Sequence, residues 1–342
     1  MSSPSPFKII ADTLGLTFEP SRGLTFAPRV HGVLDGRPVR CTWGDQGARI
    51  EGLLEPPLDF GLHIATKNVT PSLDFGSRIV LGDSSWDDEL HATADEPGRA
   101  GAAMTPDVRA AVLLLNAENA GITITDEKIT AAALQYDVQA SIRALRKVVN
   151  VARVLDEARS AAAPPASITP LVAACKAFAA ECSLSFANTP CRVNGTLRDV
   201  ALSLAFRRTG KARFTLGLRA APVAAPHGFG LVVRPESTLD RVRTFFGAQD
   251  VHTGDPTFDP AFLVQAAEEE RARSALDPDV RALLLDLRRH FDKVTLHDAT
   301  LTLETPAAPL RPEDLAPTIE MACTIVSSVE RASAATPRGP YR

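Results

Sequence analysis

"TPDVRAAVLLL" (residues 105–115) is written a second time, slightly altered, as "DPDVRALLLDL" (277–287), 172 positions further on. Each copy opens with a residue able to cap a helix, Thr105 or Asp277. Pro106 or Pro278 follows in the first turn, where a missing N–H costs nothing. Asp107 and Asp279 then favour the positive end of the helix dipole. Val108, Ala111, Val112 and Leu115 recur at three- and four-residue spacing, as do Val280, Leu283, Leu284 and Leu287. Both segments are therefore predicted to be helices with one buried stripe.

The repetition extends outward. Residues 82–131 laid over 254–303 without a gap give 18 identities in 50 positions, where chance would give roughly 3 or 4. Gly82/Gly254, Asp83/Asp255, Asp87/Asp259, Arg109/Arg281 and Asp126/Asp298 are among them, and Trp86/Phe258 is a conservative exchange. Upstream the match needs gaps, but "FAPRVHGVL" (26–34) and "FANTPCRVNGTL" (186–197) still align. A period this long marks a duplicated domain, not a short-repeat solenoid.

Both halves have the same predicted order. Each opens with an amphipathic helix, on Phe7, Ile10, Ala11 and Leu14 in one and on Leu171, Cys175, Phe178 and Cys182 in the other. Antiparallel strands follow, "VRCTW" (39–43) and "ARIEGLL" (48–54) around "GDQG", and "ALSLAF" (201–206) and "ARFTLGL" (212–218) around "RRTGK". A strand leads to the Gly-Asp signature near 82 and 254, and the PDVR helix comes next. A hairpin ("ITITDEKIT", 122–130; "VTLHDATLT", 294–302) precedes a closing helix, with Ile142, Leu145, Val149 and Leu155 or Leu315, Ile319, Ala322, Val326 and Val329 inward. The expected class is α+β: two duplicated domains, each an antiparallel sheet with packed helices, related by a pseudo-twofold. Residues 1–160 and 171–332 are the expected repeats. The Pro/Ala stretch 161–170 is the expected linker, and 333–342 a flexible tail.

Composition narrows the function. A chain of 342 residues suits two domains. Its net charge of −4 argues against a general nucleic-acid binder. No apolar run is long enough to span a membrane, and the start lacks the features of a signal peptide. Five cysteines without a CxxC pair suggest reduced thiols in a cytoplasm.

The candidate chemistry centres on G-D-x-x-[FW]-D, which places Asp83 near Asp87 and Asp255 near Asp259. Two carboxylates four apart suit a divalent cation or an acid/base pair. The same residues also suit a turn, in which Gly takes an awkward backbone angle and Asp bonds local N–H groups. No third ligand is duplicated, since Val80 stands where His252 precedes the second copy. The seven histidines show no HExxH spacing, and there is no G-x-S-x-G and no complete phosphate-binding glycine motif. No catalytic residue, metal set or cofactor is therefore predicted. Arg207, Arg208, Lys211 and Arg213 cluster at the expected tip of the second-half hairpin, where the first half has Gly44, Asp45, Gln46 and Gly47. A basic tip suits an acidic partner, a phosphate or a lipid headgroup.

The pattern G-D-x-x-[FW]-D, then P-x-V-R, then a short hairpin resembles an α+β module of bacterial proteins. It covers about 50 residues of each half, and this chain carries the module in tandem. The resemblance implies no activity and no site. The expected function is a non-enzymatic cytoplasmic interaction or scaffold protein with another protein as partner, and a homo-oligomer is compatible with it. The alternative is a small-ligand or divalent-metal binder using the inter-repeat cleft or the Asp pairs.

Overall fold

The β-strands assemble into two antiparallel sheets built to one plan. The computed structural model describes residues 5–21, 27–44, 47–67, 76–133, 137–211, 213–224, 228–235, 251–308 and 310–335. The first nine strands are β1 (Thr17–Glu19), β2 (Arg29–Leu34), β3 (Arg37–Gly44), β4 (Gly47–Leu53), β5 (His63–Thr66), β6 (Ser77–Arg78), β7 (Leu90–Ala94), β8 (Gly121–Thr125) and β9 (Lys128–Ala133). They lie in the order β1-β2-β3-β4-β9-β8-β5-β7-β6. The other eight are β10 (Ser185–Ala187), β11 (Arg192–Leu197), β12 (Val200–Gly210), β13 (Arg213–Pro222), β14 (Val232–Pro235), β15 (Phe262–Gln265), β16 (Lys293–His297) and β17 (Thr300–Pro306). Their order is β10-β11-β12-β13-β17-β16-β14-β15, the first order without its edge strand β6.

The pairing registers make the correspondence residue-specific. Ile50 pairs with Ala131 in the first sheet and Leu218 with Leu303 in the second. Ile64 lies beside Ile124, and Val233 beside Leu296. Ala131/Leu303 and Ile124/Leu296 are matched positions of the ungapped alignment, so the duplication in sequence is a duplication in structure. The backbone divides into two compact units, the first built mainly from Met1–Pro165 and the second mainly from Ala166–Arg342.

Alternation decides what each strand buries. In β4, Ala48, Ile50 and Gly52 are buried while Arg49 and Leu53 are exposed. In β13, Phe214, Leu216, Leu218 and Ala220 are buried. A period of two sends these residues to one face, where helices cover them. The first core is closed by the opening helix Pro6–Leu14, the PDVR helix Pro106–Ala117 and the closing helix Val138–Ala161. The second uses Thr169–Glu181, Pro278–His290 and Leu315–Ala335. The opposite face of each sheet carries the polar half of the alternation.

The PDVR helices start as the sequence predicts. The Thr105 hydroxyl accepts from Val108 N–H at 3.4 Å, and the Asp277 carboxylate from Val280 N–H at 2.8 Å. Val108, Val112 and Leu115 are buried, as are Val280, Leu284 and Leu287, while Ala111 and Leu283 are half-buried. Several boundaries differ from expectation. The strand β12 runs on to Gly210, so Arg207 and Arg208 lie in a strand and not in a turn. The second opening helix begins at Thr169 with Pro170 in its first turn, inside the expected linker. The last helix reaches Ala335 and buries Ser333, inside the expected tail, while 336–342 and Asp45 and Gln46 of the "GDQG" turn lie outside the described residues. Short helices at Pro97–Ala103 and Glu269–Ala275 were not anticipated from periodicity, being too short to show one.

One glycine is shared for a steric reason. Gly32 and Gly195 both sit at positive φ, +152° and +153°, with their missing Cβ aimed at Leu16 and Leu184. A Cβ would approach the leucine Cδ2 to 3.0 Å in the first copy and 2.8 Å in the second. Gly195→Ala is expected to cost about 1–2 kcal/mol, and Gly32→Ala slightly less. Urea unfolding of the two variants checks the order.

Candidate functional site

The duplicated carboxylates hold backbone. Asp83 accepts from Trp86 N–H at 3.4 Å and lies 3.3 Å from Arg109. Asp87 accepts from the N–H groups of Leu81 (3.3 Å) and Gly82 (2.9 Å). In the second copy, Asp255 accepts from Thr257 (2.9 Å) and Phe258 (3.1 Å) and lies 3.2 Å from Arg281. Asp259 accepts from the N–H groups of Thr253 (3.1 Å) and Gly254 (3.0 Å) and from the Thr253 hydroxyl at 2.7 Å. Trp86 and Phe258 anchor these turns with 0% exposure. The N–H groups of Thr257 and Phe258, then Arg281, hold the Asp255 carboxyl below the usual range. The arginine of PDVR is thus repeated because it ties the helix start to the Asp turn. Among the described residues, no group of three or more His, Cys, Asp or Glu is placed to hold a metal ion.

A second pair of carboxylates sits deeper. Asp126, in the turn between β8 and β9, accepts from the N–H groups of Phe60 (3.2 Å), Gly61 (2.7 Å) and Leu62 (2.9 Å). Asp298, between β16 and β17, accepts from Phe229 (3.1 Å) and Leu231 (3.0 Å). The tripeptide Phe-Gly-Leu is the same in both, at 60–62 and 229–231, and its glycine takes φ of +65° or +72°. An arginine covers each tripeptide: the Arg99 guanidinium lies 4.5 Å from the Phe60 ring centre, and that of Arg271 lies 5.1 Å from Phe229. Arg99 also donates to the Asp59 carbonyl at 2.8 Å. Burial pushes the Asp126 carboxyl above the usual range, against the pull of the three N–H groups and Arg99. The sequence carried this signal in the repeated "FGL", but at a spacing of 169 instead of 172, because the second copy is three residues longer between the tripeptide and Gly254 than the first is between the tripeptide and Gly82.

The faces turned away from the helices differ in charge. On the first, Glu19 is bonded to Arg29 at 2.6 Å and to His31 at 2.9 Å. Glu51 gathers Arg49 (3.1 Å), Lys128 (3.4 Å) and Arg40 (4.0 Å). Hydrogen bonds from Arg29 and His31 hold the Glu19 carboxyl below its ordinary range. A shallow hollow of about 510 Å³ lies over this network, walled by Arg29, His31, Val33, Arg40, Glu51 and Lys128.

The second face lacks both glutamates. Arg29 pairs across the strands with Glu19, whereas its counterpart Arg192 pairs with Ala187. Glu51 pairs with Thr130, whereas the counterpart Thr302 pairs with Arg219. Arg192, Arg207, Arg213 and Arg219 are all exposed on this face, on the neighbouring strands β11, β12 and β13. Among the described residues none of the four has an ion-pair partner. Lys293 is paired with Glu304 at 3.2 Å. Of the four tip residues singled out from sequence, Arg207 and Arg213 therefore share a face with Arg192 and Arg219. Arg208 alternates to the other side of β12, and Lys211 sits exposed in the turn.

Four of the five cysteines are sequestered, and Cys182 is half-buried. Cys41, Cys175, Cys191 and Cys323 are buried free thiols. Burial pushes Cys41 up to about 12 and Cys323 up to about 11, and Cys175 and burial together raise Cys191. Cys41, Cys191 and Cys323 stay protonated, and all four pack as small apolar groups. His227 lies outside the described residues. Among the described residues no helix is long and apolar enough to cross a membrane.

No family model and no curated protein matches the chain. Among solved structures, the crystal structure of the mycobacterial trehalose monomycolate transport factor A, TtfA, is similar over 45% of this chain and 92% of its own. The identity is 11% and the TM-score 0.33.

Two outcomes are expected. Asp126→Ala strands three N–H groups and is expected to cost about 3 kcal/mol or more, against about 1 kcal/mol for Asp83→Ala at its helix cap. Equilibrium unfolding in urea measures both. Because Asp255 is held below its ordinary range, its stabilising contribution is full above the usual carboxylate pKa and is lost as pH falls through the lowered one. The stability gap between the parent and Asp255→Asn should therefore close on acidification, as urea midpoints at stepped pH will report.

Proposed function

We propose that the chain is a non-enzymatic interaction protein that binds another protein through the sheet face its helices leave uncovered. The observation that supports this most directly is the contrast between what the copies share and where they part. Five polar pairs that the copies share, Asp83/Asp255, Asp87/Asp259, Asp126/Asp298, Arg99/Arg271 and Arg109/Arg281, are engaged in holding loops and helix starts. Side chains that keep a backbone in place are what two descendants of one unit retain whatever they bind. The open faces differ in charge, with Ala187 and Arg219 where the first copy has Glu19 and Glu51. Exposed, diverged residues on a rigid frame suit recognition of a partner.

A cytoplasmic setting agrees with the buried free thiols, since such groups persist where disulfides do not form. The full chain captured from its native lysate is expected to carry one protein in fixed stoichiometry through gel filtration at physiological salt. Asp83→Asn and Asp255→Asn should retain that protein, because these carboxylates serve turns. Elution of the chain alone, or loss of the partner in the two Asn variants, would overturn the proposal.

A further inference from the structure

Four arginines with no ion-pair partner among the described residues share one sheet face, where Glu304 is taken up by Lys293, and they require an explanation within the molecule or outside it. Like charges on neighbouring strands repel and cost stability. In the first copy the cations of this face have ion-pair partners, Arg29 at Glu19 and Arg49 and Lys128 at Glu51. In the second copy one of these positions is Ala187 and the other has become Arg219, although the arginine opposite Glu19 survives as Arg192. The chain is acidic in total, at −4, so a general excess of base does not account for the patch.

We infer that this stripe docks an acidic polypeptide segment, with side-chain carboxylates received by Arg192, Arg207, Arg213 and Arg219. The inference rests on the interaction reading above and names the chemistry of its partner. Arg213 and Arg219 lie six residues apart on one strand, roughly 20 Å, and β11 to β13 span roughly 10 Å across. That footprint is the width of one helix and the length of about thirteen helical residues. Carboxylates four apart on a helix are about 6 Å apart along its axis, close to the spacing of same-face residues on a strand, about 6.6 Å. Guanidinium groups bind carboxylates through two parallel hydrogen bonds, which suits arginine here better than lysine. Asn194, Ser203 and Thr215 stand between the arginines with further donors.

Other anionic partners fit less well. The open-face positions of β11, β12 and β13 hold no aromatic side chain. Bases of a single-stranded nucleic acid would find nothing to stack on. The same positions offer no large apolar group to enter a lipid interface.

The test titrates the full chain into a labelled Ala-rich helical peptide with Glu at every fourth position, read by fluorescence anisotropy. A DNA oligonucleotide of matched charge and phosphatidylserine-containing vesicles form the other arms. Peptide binding is expected, weakening with salt, and lowered about tenfold or more by Arg207→Glu combined with Arg219→Glu. Arg289→Glu, an equal charge change on the PDVR helix, should leave it unaltered. Glu19→Ala with Glu51→Arg should give the first repeat a second binding site, a gain that misfolding cannot mimic. Melting curves of each variant accompany the titrations. Peptide binding that is absent, insensitive to the Arg207/Arg219 change, or exceeded by DNA or vesicles overturns the inference. If the captured protein stays bound to the Arg207→Glu/Arg219→Glu chain, the interaction reading survives and the stripe is not its site. If no protein is captured while the peptide still binds through the arginines, the stripe stands and the broader reading falls.

Discussion

Each repeat is held in register by one half-buried carboxylate gripping a Phe-Gly-Leu backbone. Asp126 and Asp298 stand in the turn of a late hairpin, while the N–H groups they accept belong to the segment entering β5 or β14. Without that grip, the N–H groups of a bend on the sheet would be buried and unpaired, at about 1–3 kcal/mol each. Burial opposes the charge on Asp126, and the ring-stacked arginine beside it helps offset that penalty. The brace fixes where the later strands join the earlier ones, and so which side chains each face of the sheet receives.

Much of this architecture was legible in the chain. The duplication, the capped PDVR helices, the Asp turns and the inward residues of the closing helices follow from local rules: cap chemistry, proline placement and helical spacing. The brace was not read, because Asp126 and its tripeptide are about 65 residues apart and no periodicity connects them. The repeated "FGL" was visible, but a length difference between the copies takes it out of the 172-residue alignment. The charge contrast was read only in part. Sequence placed Arg207 and Arg213 together at a tip, whereas strand alternation carried through to Gly210 separates them from Arg208 and unites them with Arg192 and Arg219. Which arginines share a face depends on cross-strand register, and register is settled by hairpin geometry and core packing over the whole sheet.

The Asp pairs show how one residue pattern serves two kinds of chemistry until coordinates separate them. Carboxylates four apart suit a cation as well as a turn. Here the oxygens are occupied by N–H groups and by Arg109 or Arg281. The identity of PDVR in both copies then has two causes at once, since Pro and Asp begin the helix while Arg closes the preceding turn against it.

Joining two copies in one polypeptide has an evolutionary corollary. In an assembly of identical chains, any codon change is displayed on every copy, so a cationic surface acquired for one purpose is acquired everywhere. A fused pair escapes that constraint. Its members accumulate substitutions separately, and their ratio of one to one is inherited along with the gene. The glutamate-to-arginine exchange between Glu51 and Arg219 is the kind of asymmetry that only such a linkage can make permanent.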